Sequence, residues 1–240
     1  MNILAIGAHP DDIEISCGGT LAKYAKLGHK VFTATATNGN IGSSTLSMEE
    51  IAAVRKEEAR RAAAIIGAEY ICLDYDDEMF FEDRAARLAF IDLVRYCKAD
   101  VILTHSPHDY NPDHELTSKI INDIAVMIPI AKLQTRNKPY DKIPIIAYFE
   151  PASGLGFVPT EYVDITDTIE TKMAMCREHK SQVSWMQDNY KDIMGANQKN
   201  IFDDYYTVAR YRGIQCGVEF AEGFRMSNDA YRVVPYRVLP

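Results

Sequence analysis

Two apolar runs, each ending in a cluster of histidine and aspartate, constrain this chain more than any other feature. Asn2 to Gly7 leads into Ala8-His9-Pro10-Asp11-Asp12, and Val101 to Thr104 leads into His105-Ser106-Pro107-His108-Asp109-Tyr110-Asn111-Pro112-Asp113-His114. A continuous apolar run bounded by polar residues is the pattern of a strand buried on both faces of a parallel sheet. Parallel strands need crossover segments, usually helices. The chain supplies them. Ile13 to Leu27 carries Ile13, Cys17, Leu21, Tyr24 and Ala25 at helical spacing and stops at Gly28. Lys30 to Thr37 is the next strand, followed by a polar loop, Asn38 to Thr45. Ser47 with Glu50 three residues on is a capping-box signature for a helix over Ile51 to Ile66, closed by Gly67. Tyr70 to Leu73 reads as a short strand, Asp74 to Asp83 as an acidic loop and Ala85 to Cys97 as a helix. Strands alternating with helices in this way predict a parallel, doubly wound sheet whose ligands bind beyond the carboxyl ends of the strands. Both His/Asp clusters fall at such ends.

The second half is less regular. Leu116 to Ile128 is expected to be helical, Pro129 to Pro144 irregular, Ile145 to Phe149 a strand and Glu150 to Pro159 a loop. Helices are expected over Asp167 to Ser181 and Ile201 to Arg212, and the tail from Gly213 is weakly patterned. No repeat, low-complexity tract or linker marks a boundary, so residues 1–240 are read as one domain, long enough to bury a sizeable core. The balance of 26 basic against 34 acidic residues, a net charge of -8, works against a nucleic-acid partner. No apolar stretch reaches the ~18 residues of a membrane span, and the first residues lack a signal-peptide pattern, so a cytoplasmic location is the default expectation. Five cysteines form no C-x-x-C pair and are expected to be reduced, buried small hydrophobes.

A catalytic zinc takes three protein ligands and keeps a fourth position for water. Two histidines and one aspartate from the two clusters would meet that need. A lone His-Pro-Asp could equally be a turn, since Pro and Asp favour turns by themselves. The coincidence of two such clusters at strand ends favours the metal. Spacing leaves open whether Asp11 or Asp12 is the ligand. The same ligand set suits non-haem iron, so Fe2+ stands beside Zn2+.

These motifs, together with Gly18-Gly19-Thr20, Val54-Arg55-Lys56-Glu57-Glu58-Ala59-Arg60 and His179-Lys180-Ser181-Gln182, resemble those of the PIG-L/LmbE-like family of metal-dependent N-deacetylases. The resemblance covers most of the chain. It implies a Rossmann-like α/β sandwich, a mostly parallel central sheet flanked by helices. It also implies that His9, Asp12 and His114 hold the metal while Asp11 is the general base. A base in that place makes sense because a metal draws the pKa of its water towards ~7. The implied substrate is a small-molecule glycoconjugate carrying a 2-acetamido sugar, and the implied assembly a homo-oligomer. Arg55 would then anchor substrate, although it could also pair with Glu57 or Glu58 on a solvated helix face. Asp77 would meet sugar hydroxyls, or else belong to a solvated turn. Gly18 and Gly19 are expected to serve close packing, since no G-x-G-x-x-G fingerprint is present to support a dinucleotide-binding oxidoreductase. His179 is either a core histidine or a wall of the cleft.

One departure from the family pattern matters. Many bacterial members have His-Pro-Asp-His where this chain has Asn111-Pro112-Asp113-His114. An asparagine can donate an N–H to an oxyanion but cannot deliver a proton. Asp11 would then act as acid as well as base, or His105 or His108 would swing in, and His108 is also a candidate for substrate contact. Both histidines could instead be ordinary loop residues. Asp113 is expected to orient a neighbour, to cap the following helix, or both. The competing class is a sugar- or metal-binding protein with weak or redirected amidase activity.

Overall fold

The computed structural model describes residues 1–151, 154–189, 201–229 and 233–240. Its elements are β1 (Asn2–Gly7), α1 (Asp12–Lys26), β2 (Lys30–Thr37), α2 (Met48–Ile65), β3 (Glu69–Tyr75), α3 (Arg84–Cys97), β4 (Val101–Thr104) and α4 (Pro112–Ile124). They continue with β5 (Ile145–Phe149), β6 (Glu161–Asp164), α5 (Ile169–Cys176), α6 (Lys180–Asn189), α7 (Ile201–Cys216) and β7 (Ala221–Met226). One sheet holds the strands in the order β3-β2-β1-β4-β5-β7-β6. The first five are parallel, as expected, and β7 runs antiparallel to both β5 and β6.

Side chains of β1 alternate between the two faces, as the strand period requires. Leu4 and Ile6 join a core with Phe90, Val94, Ile120 and Ile124 of α3 and α4, whereas Ile3 and Ala5 join Leu21, Tyr24, Ile169 and Met173 of α1 and α5. Strand order reverses between β1 and β4, which pair from Ile3 with Val101 to Ile6 with Thr104. That register brings His9 and His105 to one crevice, the place where open α/β sheets bind ligands. Among the described residues no helix is long and apolar enough to cross a membrane.

The expected capping box of α2 is present, with Ser47 Oγ accepting from the Glu50 N–H and Glu50 accepting from the Ser47 N–H. Elsewhere the structure corrects the sequence reading. The helix α1 is broken at Cys17 (φ -143°, ψ 15°), and Glu222 of β7 accepts the freed N–H groups of Gly19 and Thr20 at 3.0 and 2.8 Å. A Cβ on Gly19 would lie 2.9 Å from Ile165, so close packing is what this glycine allows. The helix α4 starts at Pro112 rather than Leu116, because proline suits the first helical position. The single helix expected over Asp167 to Ser181 is two, α5 and α6. The weakly patterned tail supplies the antiparallel strand β7, and β6 was not expected at all. Of the loop read at Glu150 to Pro159, Ala152 and Ser153 lie outside the described residues. Cys17, Cys97 and Cys176 are buried, but Cys72 is half-buried and Cys216 exposed.

Candidate active site

The turn after β1 is built by its own side chains. The His9 N–H donates to Asp12 Oδ2 at 2.7 Å, and the peptide at Asp11 takes φ 122°, a region sparsely populated by residues other than glycine. Such backbone costs roughly 1–3 kcal/mol and persists where the surroundings over-determine it. Here Arg55 of α2 does so. Its Nη2 donates to the Pro10 carbonyl at 2.8 Å and lies 3.5 Å from Asp11 Oδ1. Its Nη1 donates to the Gly39 carbonyl at 3.3 Å and lies 3.7 Å from Asp77 Oδ2. Gly39 has φ +70°, and a Cβ there would meet Arg55 Nη1 at 2.5 Å, so only glycine fits beside this guanidinium.

His9 Nδ1 faces His114 Nε2 at 3.2 Å, and Asp12 lies between them, 3.5 Å from His9 and 3.4 Å from His114. Each ring has carboxylates on its outer side. His9 Nε2 is 2.9 Å from Asp77 Oδ1 and 3.5 Å from Asp113 Oδ2, and His114 Nδ1 is 3.1 Å from Asp109 Oδ1. Burial works against charge on both imidazoles. The hydrogen bonds of Asp113, Asp12 and Asp77 to His9 outweigh it and raise that pKa well above the usual range. For His114, burial is outweighed by the charge of Asp12 and the hydrogen bond of Asp109, and the pKa rises to about 9. Burial would also raise Asp12, but chiefly the charge of His114 holds its carboxyl well below the ordinary carboxylate range.

The carboxylates that stabilise a proton on these two imidazoles can equally stabilise a metal cation that displaces it, once the rings are neutral. One donor atom from each of His9, Asp12 and His114 falls within 4.8 Å of the others, and borderline metals such as zinc accept this N, N, O set. The residues fit a divalent ion, with Asp77, Asp113 and Asp109 placed to orient the ligating rings.

Asp11 is next to this centre but differs from Asp12. Burial raises its carboxyl to a pKa of about 6, Arg55 opposing and Asp12 adding to the shift. Behind it, His179 is 2% exposed with Nε2 3.2 Å from Glu14 Oε2, so His179 is a buried paired residue and not among those lining the cavity.

The centre opens into a cavity of about 800 Å³. Its lining includes Ile41, Tyr110, Trp185, Met186 and Tyr205 and the buried pairs Lys172–Glu222 and Arg212–Glu150. The structure brings His9, Asp11, Asp12, Arg55, Asp77, Asn111 and His114 to this cavity, whereas His108 is exposed and absent from its lining. Arg55 is 3% exposed, so the solvated-face reading does not hold: Glu57 pairs with Arg60, and Glu58 accepts from Ser181. Asp77 is 5% exposed and therefore no solvated turn.

Asn111, not Asp113, caps α4. Its Oδ1 accepts the N–H groups of Asp113 and His114 at 2.8 and 3.3 Å, and its Nδ2 donates to Glu78 at 2.7 Å. Asp113 accepts the Glu78 N–H at 2.9 Å. His105 is 2% exposed, stacked on His114, and its Nε2 accepts the Ala8 N–H at 2.9 Å. The same nitrogen is 3.1 Å from Asp12 Oδ2 and cannot donate to it while accepting from Ala8. Burial lowers the His105 pKa to about 4, which keeps the ring neutral. Sequence reasoning missed Asp109 and the Lys172–Glu222 pair. Asp109 stands five residues before His114 in a loop, and only the fold turns its carboxylate back onto that ring.

Comparison with known proteins identifies the family. The family model of PIG-L, GlcNAc-PI de-N-acetylase, matches residues 4–125, just over half of the chain. The diacetylchitobiose deacetylase of Thermococcus kodakarensis is 29% identical over 237 residues, covering 93% of this chain and 82% of that protein. The 4-oxalmesaconate hydratase of Pseudomonas putida is 25% identical over 222 residues, covering 88% of this chain and 80% of that protein. The solved N,N'-diacetylchitobiose deacetylase from Pyrococcus horikoshii, complexed with its inhibitor MPG, has a TM-score of 0.79 at 27% identity, covering 94% of this chain and 83% of that one. The matched family segment contains Leu4 to Gly7 of β1, all of β4 and both His/Asp clusters, and the chain belongs to the PIG-L family.

Proposed function

We propose that this protein is a metal-dependent hydrolase that removes the N-acetyl group from a 2-acetamido sugar of a small glycoconjugate. The observation that carries this reading is the juxtaposition, on one wall of a large cavity, of a three-donor cation site and a separate buried carboxyl, Asp11, whose pKa is about 6. Similarity to the two archaeal diacetylchitobiose deacetylases supports the acetamido sugar. A divalent ion held by His9, Asp12 and His114, zinc by preference and iron as the alternative, supplies a Lewis acid for an amide carbonyl and acidifies water.

The chain's own groups then divide the proton work. A carboxyl with a pKa near 6 is ionised at neutral pH yet basic enough to take a proton from water, which is what a general base requires. Arg55 fixes that carboxyl against rotation through its contacts with Asp11 and Pro10. The departing amine needs a proton, and Asn111 has no acidic proton to give, its amide being held by Glu78 and by the cap of α4. His105 is neutral, buried and occupied by Ala8. Asp11, protonated by its work as base, is the group left to deliver it. Asp77 and Asp109 hold the rings of His9 and His114 in place.

The test is amine release from a panel of N-acetylglucosamine glycosides by the zinc-loaded protein, beside a chelated sample. Release that vanishes on chelation is the expected result. No release from any glycoside, with zinc bound, would overturn the reading. The P. putida hydratase similarity favours a second one, addition of water to a carbon–carbon double bond of a small unsaturated acid. Loss of conjugated absorbance in the same samples would reveal it.

A further inference from the structure

The helix α6 carries part of the cavity wall but is rooted in neither core. Gln182, Trp185 and Met186 line the cavity, spaced three and four residues apart so that they share one helix face. Of residues 180–186, Lys180 and Ser184 are exposed and the others half-buried, and none belongs to the two hydrophobic cores. Apolar burial of these residues therefore does little to fix the tilt or rotation of the helix.

Polar ties gather at its N-terminal end instead. Glu58, buried on α2, accepts the Ser181 N–H at 3.0 Å on Oε1 and the Ser181 hydroxyl at 2.6 Å on Oε2. A carboxylate that takes a first-turn N–H satisfies one of the donors a helix leaves open and meets the positive end of its dipole. Two bonds to one residue also set rotation, because Ser181 and Trp185 lie one turn apart on the same face. Just before α6, Arg61 of α2 pairs with Glu178 at 2.8 Å and Glu14 of α1 with His179 at 3.2 Å. Glu58 stands three residues after Arg55, whose Nη2 donates to the Pro10 carbonyl. One helix thus holds both the turn of Asp11 and a wall of the same cavity.

We propose that Glu58 is a positioning residue: its two-point clamp on Ser181 fixes the place of α6, and through it the wall of Gln182, Trp185 and Met186 against which substrate binds. The clamp acts on substrate affinity, not on proton transfer at Asp11. A wall in its binding-competent place only part of the time weakens apparent affinity in proportion to that fraction. The substrate in this inference rests on the hydrolase reading above; the clamp does not.

Trp185 is the only tryptophan of the chain, so its fluorescence reports on this wall directly. Acrylamide quenching and steady-state kinetics are compared for the zinc-loaded wild type, Glu58→Ala, Glu58→Gln and Ser181→Ala, on the glycoside that the wild type hydrolyses fastest. Glu58→Ala loses both bonds and is expected to raise the quenching constant about twofold or more, the mark of local opening. Its KM is expected to rise about tenfold, the worth of the lost bonds, with kcat within about twofold of wild type. Ser181→Ala keeps the N–H bond and shows a smaller rise in both. Glu58→Gln accepts the N–H through its oxygen and donates its amide to the hydroxyl, so it stays near wild type. Thermal melting checks the fold, and Ser181→Ala decides should Glu58→Ala not fold. Unchanged quenching and KM, a fall in kcat at constant KM, or a Glu58→Gln protein as impaired as Glu58→Ala overturns the inference. Absence of turnover by the wild type overturns the hydrolase reading alone, because quenching still decides the clamp.

Discussion

Asp109→Asn isolates one side chain that holds the metal site without entering it. The Asp109 side chain has 0% exposure, and its Oδ1 sits 3.1 Å from His114 Nδ1, on the side of the ring away from His9 and Asp12. The same oxygen accepts the N–H groups of Tyr110 and Asn111 at 2.7 and 3.3 Å, contacts an asparagine oxygen can keep. The substitution therefore removes a charge and little else. A charge-assisted hydrogen bond contributes about 1.5–3 kcal/mol and a neutral one about 1, so the ring loses roughly 1–2 kcal/mol of orientation and basicity. Expressed as zinc affinity, that is about 5- to 30-fold, in line with the effect of orienting groups at other metal sites. Proton competition modulates the loss. With a His114 pKa of about 9 in the metal-free protein, binding at pH 7 must expel a proton. Asp109→Asn lowers that pKa and eases the expulsion, which offsets part of the loss at pH 7 but not above pH 9. Competition titrations against a fluorescent zinc chelator at pH 7 and about pH 9.5 would show a larger deficit at the higher pH. Unchanged zinc affinity at both values, with an unchanged melting temperature, would refute the orienting role.

Other consequences follow from the same geometry. In the metal-free protein the Asp11 carboxyl carbon should titrate near pH 6 by NMR; its neutral form then stabilises the fold below about pH 4, and that contribution is lost as pH rises through 6. A midpoint near 4 would remove the basis for its dual acid and base work. Gly39→Ala places a Cβ at φ +70° and 2.5 Å from Arg55 Nη1, so urea unfolding should show a loss of at least about 1–2 kcal/mol; a neutral change would mean the guanidinium is not confined there. Glu222→Ala strands the buried Lys172 ammonium and frees two N–H groups at the break in α1, for a cost of about 3–5 kcal/mol. Lys172→Met in that background should recover part of it, and a failure to recover any would show that capping, not charge, is what Glu222 supplies.

The residues that could be read in advance are those whose role is local. The strands β1 and β4 are continuous apolar runs and the cap of α2 is spelled by Ser47 and Glu50; the local pattern also put the two His/Asp clusters at strand ends, but the choice of His9, Asp12 and His114 among their residues came from the family resemblance. The start of α4 was also written locally, in Asn111 before Pro112, and was missed by weighing Asp113 as the cap. What could not be read depends on contacts far apart in sequence. The strand β7 is recognisable only once β5 and β6 flank it, and Glu222 acquires its purpose from a helix break at Cys17, far earlier in the chain. The sequence left Arg55 either a substrate anchor or one more charge on a solvated helix face, and its burial follows from the loop holding Gly39 and Gly42. Charge patterns report neighbours three or four residues away; they carry no trace of such long-range pairing.

The central claim is that Asp11 moves the proton while His9, Asp12 and His114 hold the ion. Asp11→Asn tests it most directly when zinc content and deacetylase turnover are measured on the same sample, with His114→Ala alongside. The account predicts near-stoichiometric zinc and a fall in turnover of about 10²–10⁴ for Asp11→Asn, the usual share of a general base, and loss of both for His114→Ala. An Asp11→Asn protein that binds zinc and turns over at the wild-type rate would contradict it.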